Sequence, residues 1–217
     1  MGEYDRNHQI KLVVDEYGPW HLAGTEVDPT HIFGQQITMR DAIATALTLD
    51  IFNRHPEKVS LAASAQLINN LNALFLAHED RFIVTPNFYV FKMYAAHQGA
   101  TAVAANFSAP GITYEDNGKQ AQLWGLHGSA SLKEKMVTLT VINPHISAIR
   151  ETEVVLRGAQ YAGATATVLS NQQANAHNTF EQPDTVAPRS STLRASGNTL
   201  RYNFPPASVT ELQIQIA

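Results

Sequence analysis

Near residue 98 the hydrophobic pattern of this chain changes period, and no single architecture accommodates both halves. Before that point strand-like and helix-like stretches alternate. Lys11 to Val14, in "KLVVDEYGPWH", is a run of aliphatic and β-branched residues with no polar face, as in a short core strand. "TMRDAIATALTLDIFNRHP" then places Met39, Ile43, Ala46, Leu47 and Ile51 on one helical face. Thr38 with Asp41 three residues on gives a capping-box-like start, and Pro56 follows the end. "KVSLAASAQL" offers a second strand from Lys58, with small residues near its end and Gln66 as its last polar group. "INNLNALFLAH" reads as a short helical or irregular connection. "TPNFYVFKMYAAHQG" reads as a second helix, with Pro86 in its first turn and Gly99 just past its end. Strand, helix, strand, helix is the α/β order that makes parallel strands with crossover helices. Two such units cannot close a barrel.

From Ala100 onward short alternating stretches take over: "ATAVAANF", "KMVTLTVINPH", "RETEVVLRG", "ATATVLSN", "NTLRYNF" and "SVTELQIQI". Turn-rich pieces such as "SAPG", "EDNGK" and "ASGN" separate them at the spacing of an antiparallel sandwich. The expected organisation is therefore α/β over residues 1–98 and all-β over residues 99–217.

Composition narrows the function classes. With 217 residues, 44% of them hydrophobic, the chain has material for real cores. A formal net charge of -4 supplies no broad positive field, which argues against nucleic acid or an anionic membrane as partner. No apolar run reaches the roughly twenty residues of a membrane helix. The start "MGEYDRNHQIK" lacks the basic-then-apolar order of a secretory signal. Cysteine is absent, which excludes thiolate metal sites and a disulfide framework; it is compatible with either compartment and favours a reducing cytoplasm. Nine histidines show no ligand spacing such as HExxH, and neither a Walker-type loop nor a GxSxG elbow occurs. No metal or cofactor is expected.

The abrupt end of the first strand in Asp15 and Glu16 carries the chemistry. Two neighbouring carboxylates resist burial, so this is either a strand end turning into solvent at Gly18 and Pro19 or a site. Residues at the carboxyl ends of parallel strands converge on one mouth, where α/β barrels place catalysis. Gln66, ending the next strand, would face the same mouth as Glu16. Trp20 offers an apolar wall for a sugar or another flat ligand. Each of these also has a plain structural reading, Gln66 as an internal hydrogen bonder and Trp20 as packing.

"VVDEYGPWH", "TMRDAIATALTLDIFNRHPEKVSLAASAQLINNLNAL", "VTPNFYVFKMYAAHQGA" and "NAHNTFEQPDTVAP", in that order, resemble the C-terminal part of the family 51 glycoside hydrolases, the α-L-arabinofuranosidases. The resemblance runs from about residue 8 to the end. It implies the last two βα units of a (β/α)8 barrel followed by a jelly-roll-like β-sandwich. It implies Glu16 as catalytic nucleophile, in a "DEYG" that stands where "DEWG" is more usual. It further implies Trp20 and Gln66 as substrate contacts, with Asp15 and Tyr17 supporting them.

The resemblance also implies retention of anomeric configuration, which needs two carboxyl groups about 5 to 5.5 Å apart. The resemblance implies that the second, the acid/base, lies in an "NE" motif on the fourth barrel strand, outside this chain. Glu3, Glu26, Glu79 and Asp80 offer no substitute by their positions. The expectation is a hydrolase of terminal arabinofuranosyl units whose isolated chain is inactive. Two alternatives stand beside it: one half of a split enzyme completed by a second polypeptide, and a non-catalytic carbohydrate-binding or structural sandwich presenting Trp124, Tyr161 or Tyr202. The expected partners are an arabinofuranoside, the missing barrel half and, in the complete enzyme, further copies of itself.

Overall fold

The computed structural model describes residues 2–7, 9–22, 30–31, 33–195 and 197–217. β1 (Leu12–Tyr17), α1 (Met39–Asn53) and β2 (Val59–Ser64) form a βαβ unit whose strands pair in parallel, with Leu12 opposite Val59 and Tyr17 opposite Ser64. α1 starts where its sequence signals. The Asp41 carboxylate accepts the Thr38 backbone N–H at 2.8 Å and the Thr38 hydroxyl at 2.7 Å. The next two amides, which a helix cannot satisfy internally, donate to a distant loop: Met39 N–H to the Ala176 carbonyl and Arg40 N–H to that of Ala174, both at 2.9 Å.

Three expectations are corrected here. Lys11–Val14 does not make a buried strand: Leu12 is 43% and Val13 54% exposed, because β1 has β2 as its one paired neighbour among the described residues. Ile51 is 41% exposed, since α1 packs through Met39, Ala42, Ala46 and Leu49 and turns Asp50, not Ile51, toward the sheet. The connection after Gln66 is neither helix nor wholly irregular. It ends in a hairpin of β3 (Phe75–His78) and β4 (Arg81–Val84), in which Phe75 stacks on Phe82 at 5.0 Å and touches Phe88 of the following helix. The aromatic pair across the two strands, extended onto the following helix, favours the hairpin there. α2 (Pro86–Tyr94) and a 3-10 turn (Ala95–His97) close this half.

The large antiparallel sheet takes its first strand from β5 (Thr101–Val103), shorter than the expected strand; two residues past its end the Arg54 guanidinium donates to the Ala105 carbonyl at 2.7 Å. A hairpin of β6 (Ile112–Asp116) and β7 (Lys119–Leu123) turns at Asn117 and Gly118, both with positive φ. β8 (His127–Lys133), β9 (Met136–Asn143), β10 (Arg150–Val155), β11 (Tyr161–Ser170), β12 (Arg189–Leu193), β13 (Thr199–Phe204) and β14 (Ser208–Ile216) follow. Six of these strands form one antiparallel sheet in the order β12-β11-β14-β9-β8-β5, and β10 pairs with β13 separately.

Alternation along the strands gives the sheet two apolar faces. Val141, Leu212, Ile214, Ala164 and Ala166 meet Leu200 and Phe204 of β13 in one core. Ile142, Leu169 and Val209 meet α1 and α2 in the other. The described residues are mostly β, with α1 and α2 laid on this second face of the large sheet.

A buried polar cluster fastens α1 to that face. Asp50, with 0% exposure, accepts the Ser129 and Thr140 hydroxyls at 2.7 Å each on one oxygen. His127 Nδ1 stands 3.7 Å from the other oxygen. His97 reaches Ser131 at 2.7 Å and Thr140 at 3.3 Å, and Arg54 donates to the Gly128 carbonyl at 2.8 Å. Among the described residues no helix is long and apolar enough to cross a membrane.

Candidate active site

The carboxyl ends of β1 and β2 lie side by side, with Ala65 N–H donating to the Tyr17 carbonyl at 3.0 Å. The pairing slips just before this point. From Val14 to Tyr17, three steps on β1 face two on β2, so Asp15 and Glu16 occupy a β-bulge. A bulge leaves residues outside the ladder and re-aims their side chains. Both carboxylates are accordingly exposed, which is how a strand can end in two acids without burying them.

Tyr17 goes the other way. Its ring meets Phe52 edge-on at 5.4 Å and Phe91 at 6.3 Å, packed against the helices. Its hydroxyl is buried without a hydrogen-bond partner, and burial pushes its pKa well up.

Beyond the strands, one amide side chain ties the ends together. Asn72 Nδ2 donates to the Pro19 carbonyl at 3.0 Å and to that of Ala65 at 3.3 Å, while its backbone N–H also bonds Ala65. Ser64 and Asn87 both donate to the Asn72 carbonyl. Gly18, at φ +155°, makes this possible: a Cβ there would stand 1.9 Å from Asn72 Nδ2. Gln66 follows a cis peptide after Ala65 and is exposed beside this clasp.

Trp20 projects 59% exposed, its ring 5.5 Å from that of Phe33. The Phe33 carbonyl accepts Leu71 N–H at 2.7 Å, joining the loop after β1 to the loop after β2. His21 is held by the buried Gln35, whose side chain accepts the His21 N–H at 3.3 Å and donates to its carbonyl at 3.4 Å.

The fold therefore gathers Glu16, Asp15 and Gln66 at neighbouring strand ends, with Trp20 on the loop that follows. Glu79 and Asp80 sit exposed at the tip of the β3–β4 hairpin, Glu3 is exposed ahead of β1, and Glu26 lies outside the described residues. Of the aromatic candidates in the β half, Tyr161 is committed to packing, its hydroxyl donating to the Val154 carbonyl at 3.0 Å. Tyr202 is edge-on to Phe204 at 4.8 Å. Trp124 is exposed but lies against His127, ring centroids 4.6 Å apart. Sequence reasoning missed Asn72, Phe33 and His21. The asparagine-rich "NNLN" after Gln66 was the available signal, since asparagine bonds backbone in turns. Among the described residues no three histidine, aspartate or glutamate side chains group as metal ligands would.

Residues 15–208, nearly the whole chain, match the family of the alpha-L-arabinofuranosidase C-terminal domain. The chain belongs to that family. The resemblance read from its four motifs is thereby borne out. An intracellular exo-α-L-arabinofuranosidase of Bacteroides ovatus is 27% identical over 99% of this chain. An intracellular exo-α-(1→5)-L-arabinofuranosidase of Streptomyces lividans is 22% identical over 83% of it. Among solved structures, the family 51 arabinofuranosidase of Xanthomonas axonopodis pv. citri superposes with a TM-score of 0.89 at 32% identity, over 99% of this chain and 43% of that one. The enzyme of Thermotoga maritima, in its arabinose complex, shares the fold with a TM-score of 0.84, over 98% of this chain and 45% of that one. The chain spans 41% of the length of the Bacteroides relative and 28% of the Streptomyces one.

Proposed function

We propose that the chain carries the nucleophile side of a retaining α-L-arabinofuranosidase. One observation carries this reading: Glu16 and Gln66 stand exposed at the carboxyl ends of an adjacent parallel pair, with Glu16 turned out by a bulge. In the mechanism, the ionised Glu16 carboxylate attacks the anomeric carbon of a terminal arabinofuranosyl unit as the bond to the leaving oxygen breaks, forming a glycosyl ester. Water then cleaves that ester with net retention. Gln66 hydrogen-bonds the bound sugar and Trp20 supplies an apolar wall. Asp15 and Tyr17 support the nucleophile, Tyr17 by anchoring its strand end against α1 and α2.

The βαβ unit is read as two strands of a (β/α)8 barrel over residues 1–98, with the sandwich over 99–217. Support comes from the exposed aliphatic side chains of Leu12, Val13 and Leu61 on a two-stranded sheet, where further strands would cover them and pair the free edges. The general acid, protonated at first and acting as base on water afterwards, is proposed to come from those further strands. They lie either on the same polypeptide or on a second one.

The test is to supply the rest of the barrel, joined upstream or co-expressed, and assay an aryl arabinofuranoside. Turnover is expected, with a 2-fluoro-arabinofuranosyl inhibitor trapped on Glu16, and Glu16→Ala should abolish both. The 217 residues alone should show no appreciable turnover. Labelling at another carboxylate, or full turnover by Glu16→Ala, overturns the assignment.

A further inference from the structure

The exposed Trp20 indole stands on a loop, and a loop side chain makes a useful wall for a ligand only if something fixes it. Phe33 provides one side of that support. The neighbouring residue provides the other. His21 Nε2 lies 2.8 Å from Asp41 Oδ1 and 2.8 Å from an Arg40 guanidinium nitrogen, both in the first turn of α1. The two contacts suit different tautomers, since a protonated Nε2 donates to Asp41 and a bare Nε2 accepts from Arg40. Either way the ring is bonded to the helix.

Asp41 is itself immobilised, 2% exposed and accepting both Thr38 groups on its other oxygen. The start of α1 is held in turn by the Ala174 and Ala176 carbonyls. Those carbonyls belong to a segment pinned by Asn178, buried at 1% exposure. Asn178 accepts Val186 N–H at 2.7 Å and donates to the Val84 and Val186 carbonyls at 3.1 Å. A continuous set of short polar contacts thus runs from the β-sandwich loop through the helix start to the residue beside Trp20.

We infer that His21 is a positioning residue: it locks the Trp20 wall to the first turn of α1, and through that turn to the 171–188 loop of the sandwich. The inference rests on the proposed role of Trp20 and adds the device that fixes it. It also gives the sandwich a part in the site, because the loop that holds the start of α1 belongs to the β half.

The experiment uses the 217-residue chain with Trp124→Phe, which leaves Trp20 as the sole indole. His21→Ala is expected to lower Trp20 fluorescence anisotropy and to raise acrylamide quenching about twofold at an unchanged thermal midpoint. His21→Gln, whose amide can both donate and accept, should restore much of the parent behaviour. If His21→Ala does not fold, His21→Phe keeps ring volume, can make neither bond and carries the same test. In the completed enzyme, His21→Ala should raise KM for an aryl arabinofuranoside several-fold more than it lowers kcat.

Unchanged anisotropy and quenching overturn the positioning role, as does a changed anisotropy with an unchanged KM. An inactive completed parent would count against the proposed function alone, because the fluorescence readout needs no turnover.

Discussion

Replacing Asp50 tests how the two halves of the chain are joined. The carboxylate is fully buried in the last turn of α1, where the helix dipole disfavours an anion, so its retention depends on its partners. It accepts two hydroxyls, and a hydrogen bond to a charged group contributes about 1.5–3 kcal/mol. Asp50→Ala removes both bonds. Ser129 and Thr140 already stand 3.1 Å apart, so they can bond each other and recover about 1 kcal/mol. The expected net loss is about 2–5 kcal/mol. For a chain of this size that lowers the thermal midpoint by about 2–4 °C per kcal/mol. Urea unfolding followed by circular dichroism gives the first figure and calorimetry the second. Asp50→Asn, which keeps one acceptor oxygen, should lose less. A double-mutant cycle with Thr140→Val should show coupling, because the two side chains share a bond. An Asp50→Ala protein within about 0.5 kcal/mol of the parent would refute the reasoning, since surface substitutions already vary that much.

Tyr17→Phe should stabilise the chain by about 1 kcal/mol, because it deletes a buried hydroxyl that has no partner; a lower urea midpoint in the variant would contradict this. His97 should make stability depend on mild acid. Burial lowers its pKa in the folded chain, partly opposed by the nearby Asp50, so the unfolded chain protonates first as pH falls. Its contribution is complete above the ordinary histidine value of about 6.5 and is lost progressively below it. His97→Gln should flatten that part of the stability profile between about pH 7 and 5, and an identical slope in both proteins would remove His97 as the cause.

Much of the local structure was legible in the residues themselves. The cap at Thr38, the α1 and α2 spans and most of the long strands of the β half follow from short-range chemistry: a carboxylate reaching back to an amide, proline at a helix start, alternation at period two. The four motifs also pointed to the right family. What failed were statements that depend on neighbours. Lys11–Val14 has the composition of a core strand, but composition does not say how many strands stand beside it. Ile51 has the right helical spacing, but the sheet meets α1 a little to one side.

The sequence by itself pointed to the residues proposed to do chemistry and to a parallel unit ahead of the large antiparallel sheet. Their types and periods are properties of consecutive residues. Only the tertiary structure decided that Asp15 and Glu16 leave the ladder in a bulge, that Asn72 closes over Gly18, and that a loop more than 130 residues downstream satisfies the first amides of α1. Those contacts join residues far apart in the chain. A bulge is a mismatch between two strands and a borrowed cap is a bond to a remote carbonyl, so neither leaves a trace in the local pattern.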